Sequence, residues 1–405
     1  MNETAFSGQS FQAELGSRAL FPDLETRVYL NHASLSPPSS AVREAVLRAM
    51  DGYAHKGMAW YVEAMESRDR LRAQLARLMS APVEDLALIA NTTAGILDVA
   101  LSLPWRRGDR VLLLEGEFPT NITPWQQAAR RHGLELLWMQ AEDFRLDRER
   151  ALERLETELR LGIRLVAMSA VQFTTGQRMP LETVGALCRQ HGAEFFVDAI
   201  QALGIVPIDV EAMGIHYLSA GSHKWLMGPE GLGCLYVHPD AAERLEPNVA
   251  GWLSHTDAFA FLTEGAGHLR YDRPFQHGAR MVESGTFNTL GACGLEASIG
   301  LIEQLGVARI LEHVQAWHDA IEPELIQRGF ESARMPDADG RSGTLSLHPP
   351  GPAPDWARQL ARRGISCASP DGWLRLSPSW PNSIEEVPIV LAAVDEIMAK
   401  GLGNP

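Results

Sequence analysis

Lysine is almost missing from this chain. Its 36 basic residues are 33 arginines and three lysines, Lys56, Lys224 and Lys400. Cysteine is scarce too: Cys188, Cys234, Cys293 and Cys367 lie far apart, with no CxxC pair. That spacing excludes a disulfide framework and an ordinary thiolate zinc site, and a reducing cytoplasm is the expected setting. There is no run of about 18 apolar residues, so no membrane-spanning helix is expected. The opening MNETAFSGQSFQAELG lacks the basic-then-apolar pattern of a secretory leader. Positive charge is in deficit, with a formal net charge of −15. No nucleic acid and no anionic membrane is expected as a general partner, although a local basic pocket is not excluded. Internal repeats, low-complexity tracts and Pro-rich or Gly/Ser linkers are all lacking.

What is present is alternation. A length of 405 residues points to two domains. Apolar runs of strand length occur at 86–90 (LALIA), 110–114 (RVLLL), 135–139 (ELLWM), 164–169 (RLVAMS), 194–198 (EFFVD) and 232–237 (LGCLYV). Segments with helical spacing separate several of them, at 121–133, 147–161 and 181–192. This is the pattern of an α/β fold, with a mostly parallel sheet flanked by helices. Ligands in such folds bind beyond the carboxyl ends of the strands. Residues 291–330 read as a long helical stretch with a break at Gly306. Strands are expected at 344–348, 365–369 and 373–377, and a final helix from 382, capped by Asn382 or Ser383. The expected division is an N-terminal arm over 1–20, a large α/β domain over 21–290 and a smaller α+β domain over 291–405.

The scarcity of lysine makes Lys224 informative. It sits in SAGSHKWLMGPEGLG, after a run of small residues. At a surface, this arginine-rich chain would place arginine. Lysine alone has an amine that can lose its proton and attack a carbonyl. That points to a Schiff-base lysine, for which pyridoxal phosphate (PLP) is the commonest partner. PLP makes further demands. Its ring nitrogen needs a carboxylate, and Asp198 ends the strand AEFFVD. Gln201 lies three residues on, suited to the phenolic oxygen. Its phosphate needs a helix N-terminus with hydroxyls, which Asn91-Thr92-Thr93-Ala94-Gly95 supplies after a strand. The ring face needs a flat cover, and Phe118 follows RVLLLEGE. Taken singly, these residues also read as an N-cap, a capped helix and a core aromatic; their joint order carries the inference.

The strings FFVDAIQALGIVPIDV and SAGSHKWLMGPEGLGCLYV resemble the cofactor site of class V aminotransferase-family enzymes of PLP fold type I. That group includes cysteine desulfurases, kynureninases and isopenicillin N epimerase-like proteins. NTTAG, EFPTNITPWQ, VESGTFNTLG and WLRLSPSWPNSIEEV resemble further family motifs, and YLNHASLSPP is most like the epimerase branch. The resemblance implies a fold type I architecture, with a seven-stranded sheet in the large domain. It implies roles as well. Lys224 would form the Schiff base and shuttle the α-proton. Asp198 would pair with the ring nitrogen, Gln201 touch the phenolate and Phe118 stack on the ring. Thr92, Thr93 and His223 would bind the phosphate, with Ser222 standing in for a family serine replaced here by Gly221. Thr286 would reach the phosphate of a second subunit, since the family's sites lie at a homodimer interface. Trp252 would line the pocket, and Arg375 would clamp the substrate carboxylate in two hydrogen bonds. His32 and Tyr61 are candidates by position for a second acid, with His32 also a substrate contact.

Departures narrow the chemistry. Phe118 stands where desulfurases stack a histidine. Cys367 precedes Arg375 by only eight residues, leaving no room for the loop that carries a desulfurase's nucleophilic cysteine; it reads as a small core residue. Gln172 replaces a common asparagine. GPEGLG and GSHKW match neither a dinucleotide nor a Walker fingerprint. His313 and His318 are five apart, the wrong spacing for a helical zinc pair, and no metal is expected. The expected activity is that of a PLP enzyme acting on an α-amino acid, by transamination or by carbon–sulfur β-elimination. Kynureninase-like or epimerase-like action is the alternative, and a non-catalytic PLP-fold binding protein is the alternative of another class.

Overall fold

In the computed structural model, which describes residues 11–402, a short strand comes first, β1 (Val28–Tyr29). Two helices follow, α1 (Ser40–Lys56) and α2 (Tyr61–Leu78). Seven strands then build one sheet: β2 (Leu86–Ile89), β3 (Arg110–Glu115), β4 (Glu135–Gln140), β5 (Leu165–Ser169), β6 (Glu194–Asp198), β7 (Tyr217–Gly221) and β8 (Gly233–Val237). Their order is β2-β8-β7-β6-β5-β3-β4. Only β8 runs against its neighbours; the pairs β7–β6, β6–β5, β5–β3 and β3–β4 are parallel.

The sheet is covered on both faces, and its residues show it. Leu112, Leu114, Val166, Met168, Phe195 and Val197 join one apolar core with Leu71 and Leu75 of α2. The alternate positions Val111, Leu113, Leu165, Ala167 and Phe196 join another core. Ile96 and Val99 of helix α3 (Thr92–Ser102) lie in that second core. A period of two thus assigns each strand residue to one face or the other.

A smaller unit is built from β9 (Glu331–Ser332), β10 (Leu345–His348), β11 (Ile365–Ser366) and β12 (Leu374–Leu376). Strands β12-β10-β9 form an antiparallel sheet, and β1 pairs in parallel with β11. The expected helical stretch is two helices, Thr289–Leu305 and Val307–Gln327, bent by 74° at Gly306, whose φ of +80° suits a residue without Cβ. The expected domain limits do not follow the cores. Val28 and Leu30 pack in the small core with Trp317, Ile321 and Leu325. Leu295, Ile299, Ile310 and Val314 pack in the large one. The chain therefore changes core within helix Val307–Gln327, past the expected boundary at 290, and Val28 and Leu30, expected in the large domain, belong to the small core. The last helix, Glu386–Lys400, also begins later than expected. Asn382 is otherwise engaged: its Nδ2 donates to Tyr29 O at 3.0 Å and its Oδ1 accepts from Ser379 N at 2.8 Å.

Candidate active site

Strands β2, β3, β5, β6 and β7 all end on one side of the sheet, and the segments after them enclose a cavity of about 520 Å³. Asn91, Thr92 and Thr93 follow β2. Phe118 and Thr120 follow β3, Phe173 follows β5, Ile200 and Gln201 follow β6, and His223 and Lys224 follow β7. Ser34, Ala368, Pro370 and Arg375 complete the wall from the small unit's side. Seven of the residues expected from sequence meet here: Thr92, Thr93, Phe118, Gln201, His223, Lys224 and Arg375.

The phosphate end is a helix start. Asn91 caps α3, its Oδ1 accepting from Ala94 N at 2.9 Å, which leaves the free N–H groups of the first turn facing the cavity. Thr92 Oγ1 is buried and has no hydrogen-bond partner. A Cβ on Gly221 would lie 3.2 Å from that oxygen and 3.4 Å from His223 Cε1, so glycine keeps this corner open. Thr93 Oγ1 is bonded to Thr120 Oγ1. An unsatisfied buried hydroxyl at a helix N-terminus is the chemistry a phosphate completes.

Lys224 Nζ lies 5.7 Å from the centroid of the Phe118 ring, which in turn meets Phe173 edge-on at 5.3 Å. Asp198 is buried beneath, not on the wall, and its Oδ1 accepts from Ile200 N at 3.0 Å. Burial makes the Lys224 ammonium easier to deprotonate than usual; the Asp198 carboxylate opposes this and the Arg375 charge adds to it. Burial raises the Asp198 carboxyl; the Ile200 N–H and Lys224 pull it down, and Glu117 pushes it up. Gln201 is held at both ends, Nε2 donating to Ala33 O at 2.9 Å and Oε1 accepting from Trp225 Nε1 at 3.0 Å.

Arg375, 4% exposed, donates from Nη1 to Phe173 O and from Nη2 to Ser34 Oγ, both at 2.7 Å. It has no acidic partner among the described residues. Its Nε is buried without an acceptor, and burial depresses its pKa to about 10. A buried guanidinium without a counter-ion is an anion site in waiting.

Other expected residues stand elsewhere. Ser222 Oγ donates to Pro229 O inside the turn after Lys224, because the strand-end backbone points it away from the cavity. His32 is buried behind the wall: Ser36 Oγ donates to Lys224 O at 2.6 Å, so the His32 Nδ1 beside it, at 2.8 Å, must be protonated and donate to Ser36. Burial pushes its pKa down to about 3, which favours the neutral ring, and His32 is not among the residues lining the cavity. Trp252 packs edge-on against Phe259 and Phe261, and Tyr61 leans on Phe259. Thr286 lines a separate cleft with Arg68, Asp98, Glu283 and Asn288. Cys367 packs on the small core, its thiol pushed up to about 12 by burial. Ser34, Thr120 and Phe173 were not expected. Thr120 and Phe173 nevertheless lie just past β3 and β5, at the strand ends where a ligand was expected, while Ser34 arrives from a distant segment. Taken together, the residues around the cavity fit PLP: an amine, a carboxylate below it, an aromatic face and an unsatisfied hydroxyl at a helix start.

The aminotransferase class-V family model matches residues 28–372. A cysteine desulfurase of Salmonella dublin is 33% identical over 314 residues, 74% of each chain. Among solved structures, the apo cysteine desulfurase of Thermococcus onnurineus NA1 aligns with a TM-score of 0.82 and 26% identity, covering 92% of this chain and 95% of that one. The cystine C–S lyase C-DES is also similar. With glycine covalently linked to its PLP cofactor it aligns at a TM-score of 0.84 and 24% identity, over 93% of this chain and 98% of its own. Its complex with the product cysteine persulfide aligns at 0.83, also at 24% identity, over 92% and 98%.

Proposed function

The chain belongs to the class V aminotransferase family, which depends on PLP, and from that premise we propose that this cavity converts an α-amino acid by carbon–sulfur β-elimination. The observation that carries the reading is Arg375. It is a buried cation without an acid, on the same cavity wall as Lys224. A substrate α-carboxylate is the anion that would complete it, in two charge-assisted hydrogen bonds.

Bound PLP supplies an electron sink for the charge left at the substrate's Cα. The chain's residues would do the rest. Lys224 Nζ would hold the cofactor and, as a free amine, would take the α-proton; its lowered basicity suits both tasks. It can then pass that proton to the sulfur leaving Cβ. Asp198 would keep the ring nitrogen protonated, Gln201 would serve the phenolic oxygen, and Phe118 would cover the ring. The first turn of α3, with Thr92, Thr93 and His223, takes the phosphate.

Cys367 favours elimination over sulfur capture by the enzyme. The half-buried Cys367 thiol, its pKa pushed up to about 12 by desolvation, is a poor nucleophile, so sulfur would leave as a free thiol. Thr286 and Trp252, away from the Lys224 cavity, suit service to a second copy in a homodimer. Four free cysteines suit a reducing cytoplasm.

The test is a panel of sulfur and non-sulfur amino acids given to the PLP-loaded enzyme. Elimination predicts pyruvate and thiol in equal amounts from cysteine-type substrates, and neither from Lys224→Ala. A substrate keto acid formed without thiol release would instead establish transamination.

A further inference from the structure

Glu117 has no part in the scheme above, yet it is 8% exposed and forms no ion pair among the described residues. Its Oε1 accepts from Ser169 N at 2.7 Å and from Gln172 Nε2 at 3.0 Å, and its Oε2 is bonded to Ser169 Oγ. Two of these donors are N–H groups with no alternative role. Burial pushes the Glu117 carboxyl up, and this ring of donors, with Asn121, pulls it back toward the ionised form. The placement is set by the sheet. Glu117 lies two residues past β3, Ser169 ends β5, and Asp198 ends β6; Ser169 and Asp198 are register partners. The adjoining Ala170 N donates to Asp198 O at 2.8 Å. Ser169 therefore stands between the two carboxylates.

We propose that Glu117 is a positioning residue whose negative charge strengthens the hold of Asp198 on a shared proton, and so keeps the ring nitrogen of bound cofactor protonated. The inference rests on the reading of this cavity as a PLP site. It also assigns Gln172, which replaces the family's common asparagine. Its amide is directed at Glu117, where it helps to keep that carboxylate charged.

The charges that face this pair are few. Asp198 is influenced by Glu117 on one side and by Lys224 on the other. Lys224 is influenced by Asp198 and Arg375, and His223 by Lys224 and Glu230. No cation is hydrogen-bonded to Glu117. Whenever Lys224 is neutral, Arg375 is the cation left in this set, and it acts on Lys224 and not on Asp198; the Glu117 charge then makes a proton between Asp198 and the ring nitrogen harder to remove.

The experiment loads the protein with PLP labelled with nitrogen-15 in the ring and follows the nitrogen resonance against pH. Glu117→Gln keeps an oxygen for Ser169 N and Gln172 Nε2 but removes the charge. Its ring nitrogen should lose its proton at a pH lower by about one unit or more, a tenfold change in the dissociation constant. Glu117→Asp should restore the wild-type midpoint. Glu117→Met is the second uncharged variant, and whichever of the two folds carries the test. Cofactor retention in dialysis above the new midpoint should weaken in parallel, whereas a purely structural role would lower the melting temperature and leave the midpoint in place. Labelled wild-type protein and an uncharged variant titrating together would overturn the inference. Failure of the wild type to retain labelled cofactor would overturn the underlying reading instead.

Discussion

Two clusters of buried arginine among the described residues are unlike. Beside the cleft that holds Thr286, Arg68 and Arg72 are 6% and 3% exposed, and both are paired with Glu283. Glu283 also accepts from Leu88 N at 2.8 Å, which ties the cluster to the edge strand β2. Arg375 is as deeply buried, but its partners are a carbonyl and a hydroxyl. A charge balanced inside the fold serves the fold. A charge left unbalanced costs stability and is kept for something that arrives from outside.

That contrast can be broken most forcefully at Glu283. Glu283→Ala would strand the buried Arg68 guanidinium and leave Arg72 with Asp69 alone, and the expected loss is about 3–5 kcal/mol of stability, read by denaturant unfolding. Arg375→Leu should do the reverse. It removes an unpaired charge, so the unliganded protein should melt no lower than wild type. Meanwhile kcat/KM should fall about a hundredfold or more, and Arg375→Lys should not rescue it. If Arg375→Leu unfolded the protein while Glu283→Ala left it intact, the distinction between the two clusters would be wrong.

A smaller effect separates the regions by pH. Asp98 lines the same cleft as Glu283, and burial pushes its carboxyl up from 3.8 to about 7. Across that interval the folded protein keeps a proton that the unfolded chain has released. Its contribution to stability is therefore complete below about pH 4 and is lost as the pH rises through about 7. Asp98→Asn should flatten that decline, by roughly 4 kcal/mol between the two ends, in melts taken at a series of pH values. The least effect is expected at Ser34. Ser34→Ala removes one hydrogen bond that aims Arg375, worth about 1 kcal/mol. KM should rise a few-fold with kcat little changed.

Much of this was legible in the residues. Six of the seven central strands are runs of large apolar side chains, and they lie within a residue or two of the expected positions. The exception, β7, reads YLSAG. Its small residues have a reason that only packing reveals. Helix α3 crosses it so closely that a Cβ on Gly95 would lie 2.4 Å from Ser219 Oγ. A strand that must admit a helix gives up the bulk by which strands are recognised. Similarly, Asp198, Thr92 and Phe118 were traceable because each ends or follows a readable strand, while Lys224, which follows the unreadable β7, was traceable through the scarcity of lysine. Ser34 and Phe173 were not, since their task is to hold an arginine 341 and 202 residues away in sequence. Glu117 lay within a quoted segment, but its meaning depends on Ser169, which the sheet brings beside it.

The pairing of β1 with β11 has a consequence for how the chain matures. Val28 must find Ile365, and Ser34 must find Arg375. At ribosomal speeds of about 5–20 residues per second, the early segment waits roughly 20–70 s for its mate to be synthesised. Throughout that interval Val28 and Leu30 lack their final apolar surroundings and are exposed to chaperones and proteases. Competence to bind a substrate thus comes late in translation, after the large sheet already has all its strands.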